Sequence, residues 1–312
     1  IGMNDLEPYK QTELFGLKRF INELIHLYQI EKLPNKILLS GQKGIGKSTM
    51  TYHFINYVLS GDEEYKYDIK QFQINSNNRS FKTIQNKSNL NFFLIDINPE
   101  KKTIDINQIR ELINRLNKSS FNNKPRFVLI DNIEFLNLNS INALLKILEE
   151  PSINVHFFLI NNNKKVLPTL SSRCLNFKIF LSNEECMNVS KKLFGEDLDK
   201  IVNNDLINFY MTPGNLYRMF IFAKNNNCDL SNIDLKEFLN IIIKDKLYKK
   251  NLSFRFLIFD LIEFYFIKIN SSFSSGLNNK YSYFINKLSN IKKYNLDEEA
   301  FFIEFEDKVL NG

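Results

Sequence analysis

The stretch Gly41-Gln42-Lys43-Gly44-Ile45-Gly46-Lys47-Ser48-Thr49 is where this sequence concentrates its chemistry. Two glycines bracket four residues and Lys-Ser follows, the spacing of a loop whose backbone N–H groups wrap a phosphate. In such a loop Lys47 reaches the β- and γ-phosphate oxygens, and the Ser48 hydroxyl offers a ligand to Mg²⁺. The chain has only Gly 10 in all, so the glycines gathered here are not scattered turn residues. A bound Mg²⁺ also needs an acid at the end of a hydrophobic strand, and FVLID supplies one at Asp131. The next residue is Asn132, where P-loop ATPases of this layout carry a Glu that polarises the attacking water. An amide cannot take that proton, so hydrolysis is expected to be slow or absent even with ATP bound. Glu134 stands two positions on and, on an extended strand end, would face the same side as Asn132. It stays open as a substitute base.

These residues need elements to hold them. KILLS at 36–40 reads as a short apolar strand, and 48–59 as a helix with Met50, Phe54, Ile55 and Val58 on one side. Further strands are expected at 91–97, 126–131 and 155–161, and helices at 14–28, 106–116 and 140–150. Strands alternating with helices imply a parallel sheet covered on both faces. Residues 60–90 are polar and Asn-rich and read as a long surface loop. Beyond residue 180 the strand-like runs stop. Helical periods follow at 184–193, 197–210, 216–224, 235–247, 252–269 and 280–291, with a second boundary in the Asn-rich segment 225–232. The expected organisation is an α/β nucleotide-binding domain at 1–180, a small helical domain at 181–232 and a terminal helical domain at 233–312.

Composition narrows the class. Hydrophobic residues make up 44% and charged residues 24%, ordinary for a protein with real cores, and the net charge of +6 suits contact with DNA or an acidic partner without demanding either. Cys174, Cys186 and Cys228 have no CxxC spacing and the three histidines lie far apart. Neither a disulfide framework nor a zinc cluster is expected, and a reducing cytoplasm is the default compartment. The opening IGMNDLEPYK lacks the pattern of a signal peptide, and Met3 is the expected natural start. The greasiest stretch, 254–269, is short and carries Arg255, Asp260, Glu263 and Lys268. It reads as a buried helix, not a membrane span. Arginine is scarce beside lysine, so an Arg marks a place where Lys will not serve.

Further motifs then make the chain recognisable. The run INALLKILEEP at 141–151, FFLINN at 157–162 and LPTLSSRC at 167–174 resemble the clamp-loader branch of the AAA+ ATPases. Together with the glycine loop and FVLID, the resemblance spans about residues 14–180 with element order intact. It implies a P-loop AAA+ domain with a parallel sheet, a helical lid and an all-helical collar through which subunits assemble. Carried across residue by residue, it makes Arg173 of Ser172-Arg173-Cys174 an arginine finger that enters the ATP site of a neighbouring subunit. The guanidinium offers several directed hydrogen bonds to γ-phosphoryl oxygens, which an ammonium cannot match. Asn161 falls at the first sensor position. Arg218, in Gly214-Asn-Leu-Tyr-Arg218, stands near the second sensor but one residue further from its glycine than in the motor subunits. One residue on a helix turns a side chain by about 100°, so Arg218 serves either nucleotide or a structural ion pair.

Residues 60–90 contain no Cys, so the resemblance is to a version without that family's zinc module. No catalytic Glu, a displaced second sensor and an intact finger imply a delta-prime-like stator subunit. Its cofactors would be ATP or ADP with Mg²⁺ on Ser48 and Asp131. Its partners would be gamma/tau-like motor and delta-like subunits and, through the assembly, the sliding clamp and primer–template DNA, with no membrane. Two alternatives stay open: a hydrolysing motor subunit of the same complex, and a scaffold with a vestigial nucleotide site.

Overall fold

Strands that alternate apolar side chains between two faces need cover on both, and the sheet obtains it from helices that connect parallel neighbours. The computed structural model describes residues 6–98, 101, 103–118, 122–150, 154–195, 198–207, 211–249, 252–270, 277–294 and 296–311. Its strands are β1 (Lys36–Ser40), β2 (Phe92–Ile95), β3 (Arg126–Ile130), β4 (Val155–Asn161) and β5 (Leu175–Lys178). They pair in parallel in the order β2-β3-β4-β1-β5. Ile37, Leu39, Phe127, Leu129, Phe158 and Ile160 face one core, and Leu38, Val128, Ile130, Phe157 and Leu159 face the other. Every residue of the central β4 is buried.

The first core is covered by α1 (Lys18–Gln29), α2 (Lys47–Leu59) and α3 (Arg79–Gln85), the second by α4 (Ile106–Leu116) and α5 (Leu138–Glu149). Local sequence sets where they start. Asp105 and Gln108 form a capping box on α4, and Asn137 caps α5 by accepting from Ser140 N–H. Register fixes function: Ser40 lies level with Asn161, and Ile130 with Leu159. The loops leaving β1, β3 and β4 therefore emerge together at the carboxyl edge of the sheet, where open α/β sheets hold ligands.

Two compact units divide the chain: residues up to Leu193 with Thr212–Gly214, and Phe194–Met211 with the residues from Asn215 onward. The first also holds α6 (Pro168–Ser171) and all but the last residue of α7 (Asn183–Phe194). The second is helical, with α8 (Leu198–Ile201), α9 (Pro213–Asn226, from Asn215), α10 (Leu235–Lys244), α11 (Leu252–Asn270), α12 (Leu277–Tyr294) and α13 (Glu299–Phe305). Phe259, Phe284, Phe301, Phe302 and Phe305 are fully buried against one another. These aromatics form the unit's own core. No helix among the described residues is long and apolar enough to cross a membrane.

Several elements differ from the sequence expectation. Residues 60–90 are no surface excursion: Tyr67, Phe72, Ile74, Phe81 and Ile84 sit in the core, and the segment folds into α3. Polar groups staple it down. Asn56 and Asn78 exchange amide hydrogen bonds at 3.1 Å, Asn78 also caps α3, and the Glu63 carboxylate accepts from Arg79 N–H and Ser80 N–H. Leu14 N–H and Ile74 N–H tie the segment to the chain ahead of α1. The edge strand β5 has no hydrophobic run to announce it, because three of its four residues are exposed. The helix expected over 197–210 is the single turn α8, followed by a turn at Asn203–Asp205 capped by the Asn203 side chain. Residues 197 and 208–210 of that expectation lie outside the described residues, as does Pro151.

His53 is fully buried between the Tyr67 hydroxyl at 3.0 Å and the Gln11 carbonyl at 3.2 Å, and burial lowers its pKa to about 4. The ring is neutral in the fold and accepts a proton in the unfolded chain below its ordinary pKa, so stability is present above that value and falls as pH drops toward 4. Urea unfolding at pH 7 and pH 5 is expected to show wild type losing about 2 kcal/mol more than His53→Gln between the two. Equal losses would show that His53 is not the titrating group.

Candidate nucleotide site

The loop between β1 and α2 is built around a buried charge. Gly46 caps α2 in the left-handed region at φ 93°, which turns the chain sharply enough to bring Lys47 back over the loop. Lys47 is 3% exposed, and its ammonium donates to Gly41 O at 2.9 Å, Gln42 O at 2.6 Å and Asn162 Oδ1 at 3.0 Å. An ammonium has three N–H donors, so all are engaged. Burial lowers the Lys47 pKa to about 8, against the opposing pull of Asp131 and Glu134. Ile45 packs into the core beneath the loop, and Ser48 and Thr49 stand half-buried in the first turn of α2.

Asp131 leaves β3 beside this charge and accepts a hydrogen bond from the Ser48 side chain; burial and the neighbouring Asp96 push its pKa up to about 6. Asp96, at the end of β2, is raised as well, chiefly by burial. It accepts from Asn132 Nδ2 at 2.8 Å. Asn132 adopts φ 55° and opens a 3₁₀ turn, Ile133–Phe135, so the strand end is not extended as the sequence suggested. Asn132 and Glu134 nonetheless meet at one atom: Asn162 Nδ2 donates to Asn132 Oδ1 at 2.9 Å and to Glu134 Oε1 at 2.8 Å.

The Asn161 side chain closes its own turn, accepting from Lys164 N–H and donating to Lys164 O. Its neighbour Asn162 is the one that touches Lys47. Arg173 lies at the surface, one-third exposed, where it donates to Glu149 Oε1 at 2.6 Å and Thr169 O at 2.7 Å. Arg218, in the helical unit, donates to Asn215 Oδ1 at 2.8 Å. Sequence reasoning missed Asp96 and Asn162. The signal for Asp96 was present, since FFLID ends as FVLID does. Asn162 was hidden among three consecutive asparagines.

The residues fit a nucleoside triphosphate with Mg²⁺. Asp131, raised by burial and paired with the Ser48 side chain, would hold a cation there, and Lys47 would exchange its neutral carbonyl partners for phosphate oxygens. Mg²⁺ at that position would supply charge neutralisation to the β- and γ-phosphates.

A family model described as "DNA polymerase III, delta subunit" matches residues 16–182, more than half of the chain. The chain belongs to this clamp-loader family. Among curated members, the gamma subunit of DNA polymerase III from Buchnera aphidicola subsp. Schizaphis graminum is 28% identical over 72% of this chain and 62% of its own length. A delta' subunit from Buchnera aphidicola subsp. Baizongia pistaciae is 27% identical over 54% of this chain, and the match spans 51% of that protein. The delta' subunit from Buchnera aphidicola subsp. Acyrthosiphon pisum is 26% identical over 78% of this chain and 76% of its own length. For the first two the match spans less than two thirds of the relative. A solved gamma subunit-related protein from Thermotoga maritima covers 90% of this chain and 96% of its own at TM-score 0.42 and 16% identity. Clamp-loader relatives named gamma and delta' therefore both resemble this chain.

The tripeptide Thr212–Gly214 belongs to the same unit as the loop and is hydrogen-bonded to it. Thr212 Oγ1 donates to Lys43 O at 2.8 Å and Gly214 N–H to Gly44 O at 2.8 Å. A Cβ on Gly214 would stand 2.6 Å from the Gly44 Cα. Exchanging Gly for Ala in a helix ordinarily stabilises by about 1 kcal/mol; here the clash is with backbone and outweighs that gain. Gly214→Ala is expected to destabilise the protein by about 1–3 kcal/mol in urea unfolding. A neutral or stabilising result would mean that the loop and this tripeptide do not pack closely in solution.

Proposed function

We propose that this chain is a delta-prime-like stator subunit of a DNA polymerase III clamp loader that binds ATP with Mg²⁺ and supplies Arg173 in trans to a neighbouring motor subunit. Gly41, Gln42, Lys43, Gly44, Ile45, Gly46, Lys47, Ser48 and Thr49 would hold the phosphates, with Asp131 and Ser48 at the metal. The observation that carries the reading is the presentation of Arg173. Its guanidinium is fixed on the surface by Glu149 and the Thr169 carbonyl, away from any bond to the chain's own phosphate loop. Asn132 at the position of the usual acid supports the same role, because it leaves this chain a poor hydrolase of its own nucleotide.

Residues 181–232 would act as the lid and 233–312 as the collar that meets gamma/tau-like motor and delta-like subunits. ATP binding around the ring would tighten its grip on the sliding clamp and primer–template DNA, and finger-assisted hydrolysis would release both. The work would take place in the cytoplasm. Glu149 holds Arg173 by an ion pair at 2.6 Å, so the finger is already oriented before a neighbour docks, which lowers the entropic cost of its use.

Arginine fingers contribute roughly 10³–10⁵-fold to turnover. In the reconstituted loader, Arg173→Ala is expected to cut clamp- and DNA-stimulated ATP turnover by at least about ten-fold, with assembly intact by size-exclusion. Unchanged turnover in an intact assembly would remove Arg173 from the reaction and favour the scaffold reading.

A further inference from the structure

Glu134 carries an anomaly. Its Oε1 accepts from Asn162 Nδ2 at 2.8 Å, while Oε2 is buried and has no hydrogen-bond partner. Among the described residues only Asn240 Oδ1 shares that condition. A buried acceptor without a donor costs free energy, and native structures keep one where a water or a reaction uses it. The atom does not lie in a remote corner: Asn162, which holds Oε1, accepts from Lys47 through its own Oδ1 at 3.0 Å. Lysine, amide and carboxylate form one short chain across the candidate nucleotide site.

We propose that Glu134 is a catalytic base of this chain, taking over the part that Asn132 cannot play. The inference rests on the reading that the site binds a nucleoside triphosphate. In the step, a water oxygen bonds to the γ-phosphorus as the bond from that phosphorus to the β,γ-bridging oxygen breaks. The water proton passes to Glu134 Oε2, and the nucleoside diphosphate and inorganic phosphate leave. The 3₁₀ turn Ile133–Phe135 makes the relocation feasible, because it folds the chain after Asn132 so that both side chains reach the same Asn162 amide.

Asn162 also ties the base to site occupancy. While Lys47 donates to Asn162 Oδ1, the amide is held in the orientation that keeps Nδ2 on Glu134. When Lys47 turns to phosphate oxygens, that hold is lost and the carboxylate is released toward water. Hydrolysis here is thus weak, coupled to the position of Lys47, and compatible with a subunit whose main contribution is made in trans.

The test uses the full-length isolated chain: wild type, Glu134→Gln, and Lys47→Ala as a control for contaminating activity. Affinity for a fluorescent ATP analogue, single-turnover hydrolysis of labelled ATP, and the ATP-to-ADP ratio retained after gel filtration are measured together. Wild type is expected to hydrolyse ATP slowly but above the Lys47→Ala background. Glu134→Gln is expected to lower that rate at least about ten-fold, to keep affinity within about two-fold, and to retain ATP where wild type retains ADP. Equal rates in wild type and Glu134→Gln, or binding by wild type with no hydrolysis above background, would overturn the role of Glu134 while leaving nucleotide binding in place. No binding by wild type would overturn both.

Discussion

A lysine that is only 3% exposed needs oxygen around its ammonium, and the arrangement that surrounds Lys47 organises the whole sheet unit. Two of its acceptors are carbonyls of its own loop and the third is the amide of Asn162, just past the end of the neighbouring strand β4. That third bond requires β1 and β4 to be neighbours in register, with Ser40 level with Asn161. Parallel pairing of β3 with β4 then sets Asp131 and Asn132 at the same edge, and β2 beyond them adds Asp96. The charge is held in place by sheet register more than by any single contact. Its lowered pKa of about 8 expresses the same compromise, in which burial outweighs the acids nearby.

The unit is held together by polar staples as well as apolar cores. Segment 60–90 is fixed by the Asn56–Asn78 amide pair and the Glu63 carboxylate. Buried amides that satisfy each other fully specify one docking geometry, since any slip leaves two of them unpaired. In the helical unit a cluster of phenylalanines does the equivalent work, flanked by ion pairs such as Lys246 and Lys249 on Glu299. Exposed pairs of this kind add little stability, so the phenylalanines carry that unit.

Much of this was legible in the sequence, and the reasons are physical. Strands β1, β3 and β4 are buried on both faces, which forces the apolar runs KILLS, RFVLI and VHFFLIN. Helix α4 begins and ends where the sequence pattern places it, at Ile106 and Leu116. The edge strand β5 was illegible because exposure frees its residues from that pattern. Asparagine caused most of the remaining misses. It is used here as a cap at Asn78 and Asn137, as a buried pair with Asn56, as a turn at Asn161 and as the Lys47 partner at Asn162. Nothing local in the sequence separates these roles, because each depends on which distant backbone the amide meets. The loop, Asp131 and the exposed Arg173 stood out by residue type. The link from Lys47 through Asn162 to Glu134 required the fold.

The central claim is that the surroundings of Lys47 form a working nucleotide site. Isothermal titration of the isolated chain with ATP and Mg²⁺, wild type beside Lys47→Ala, tests it most directly. The account predicts one-to-one binding by wild type and loss of that binding in Lys47→Ala, with the variant's fold unchanged by circular dichroism. No binding by wild type, or binding that the substitution leaves intact, would contradict it.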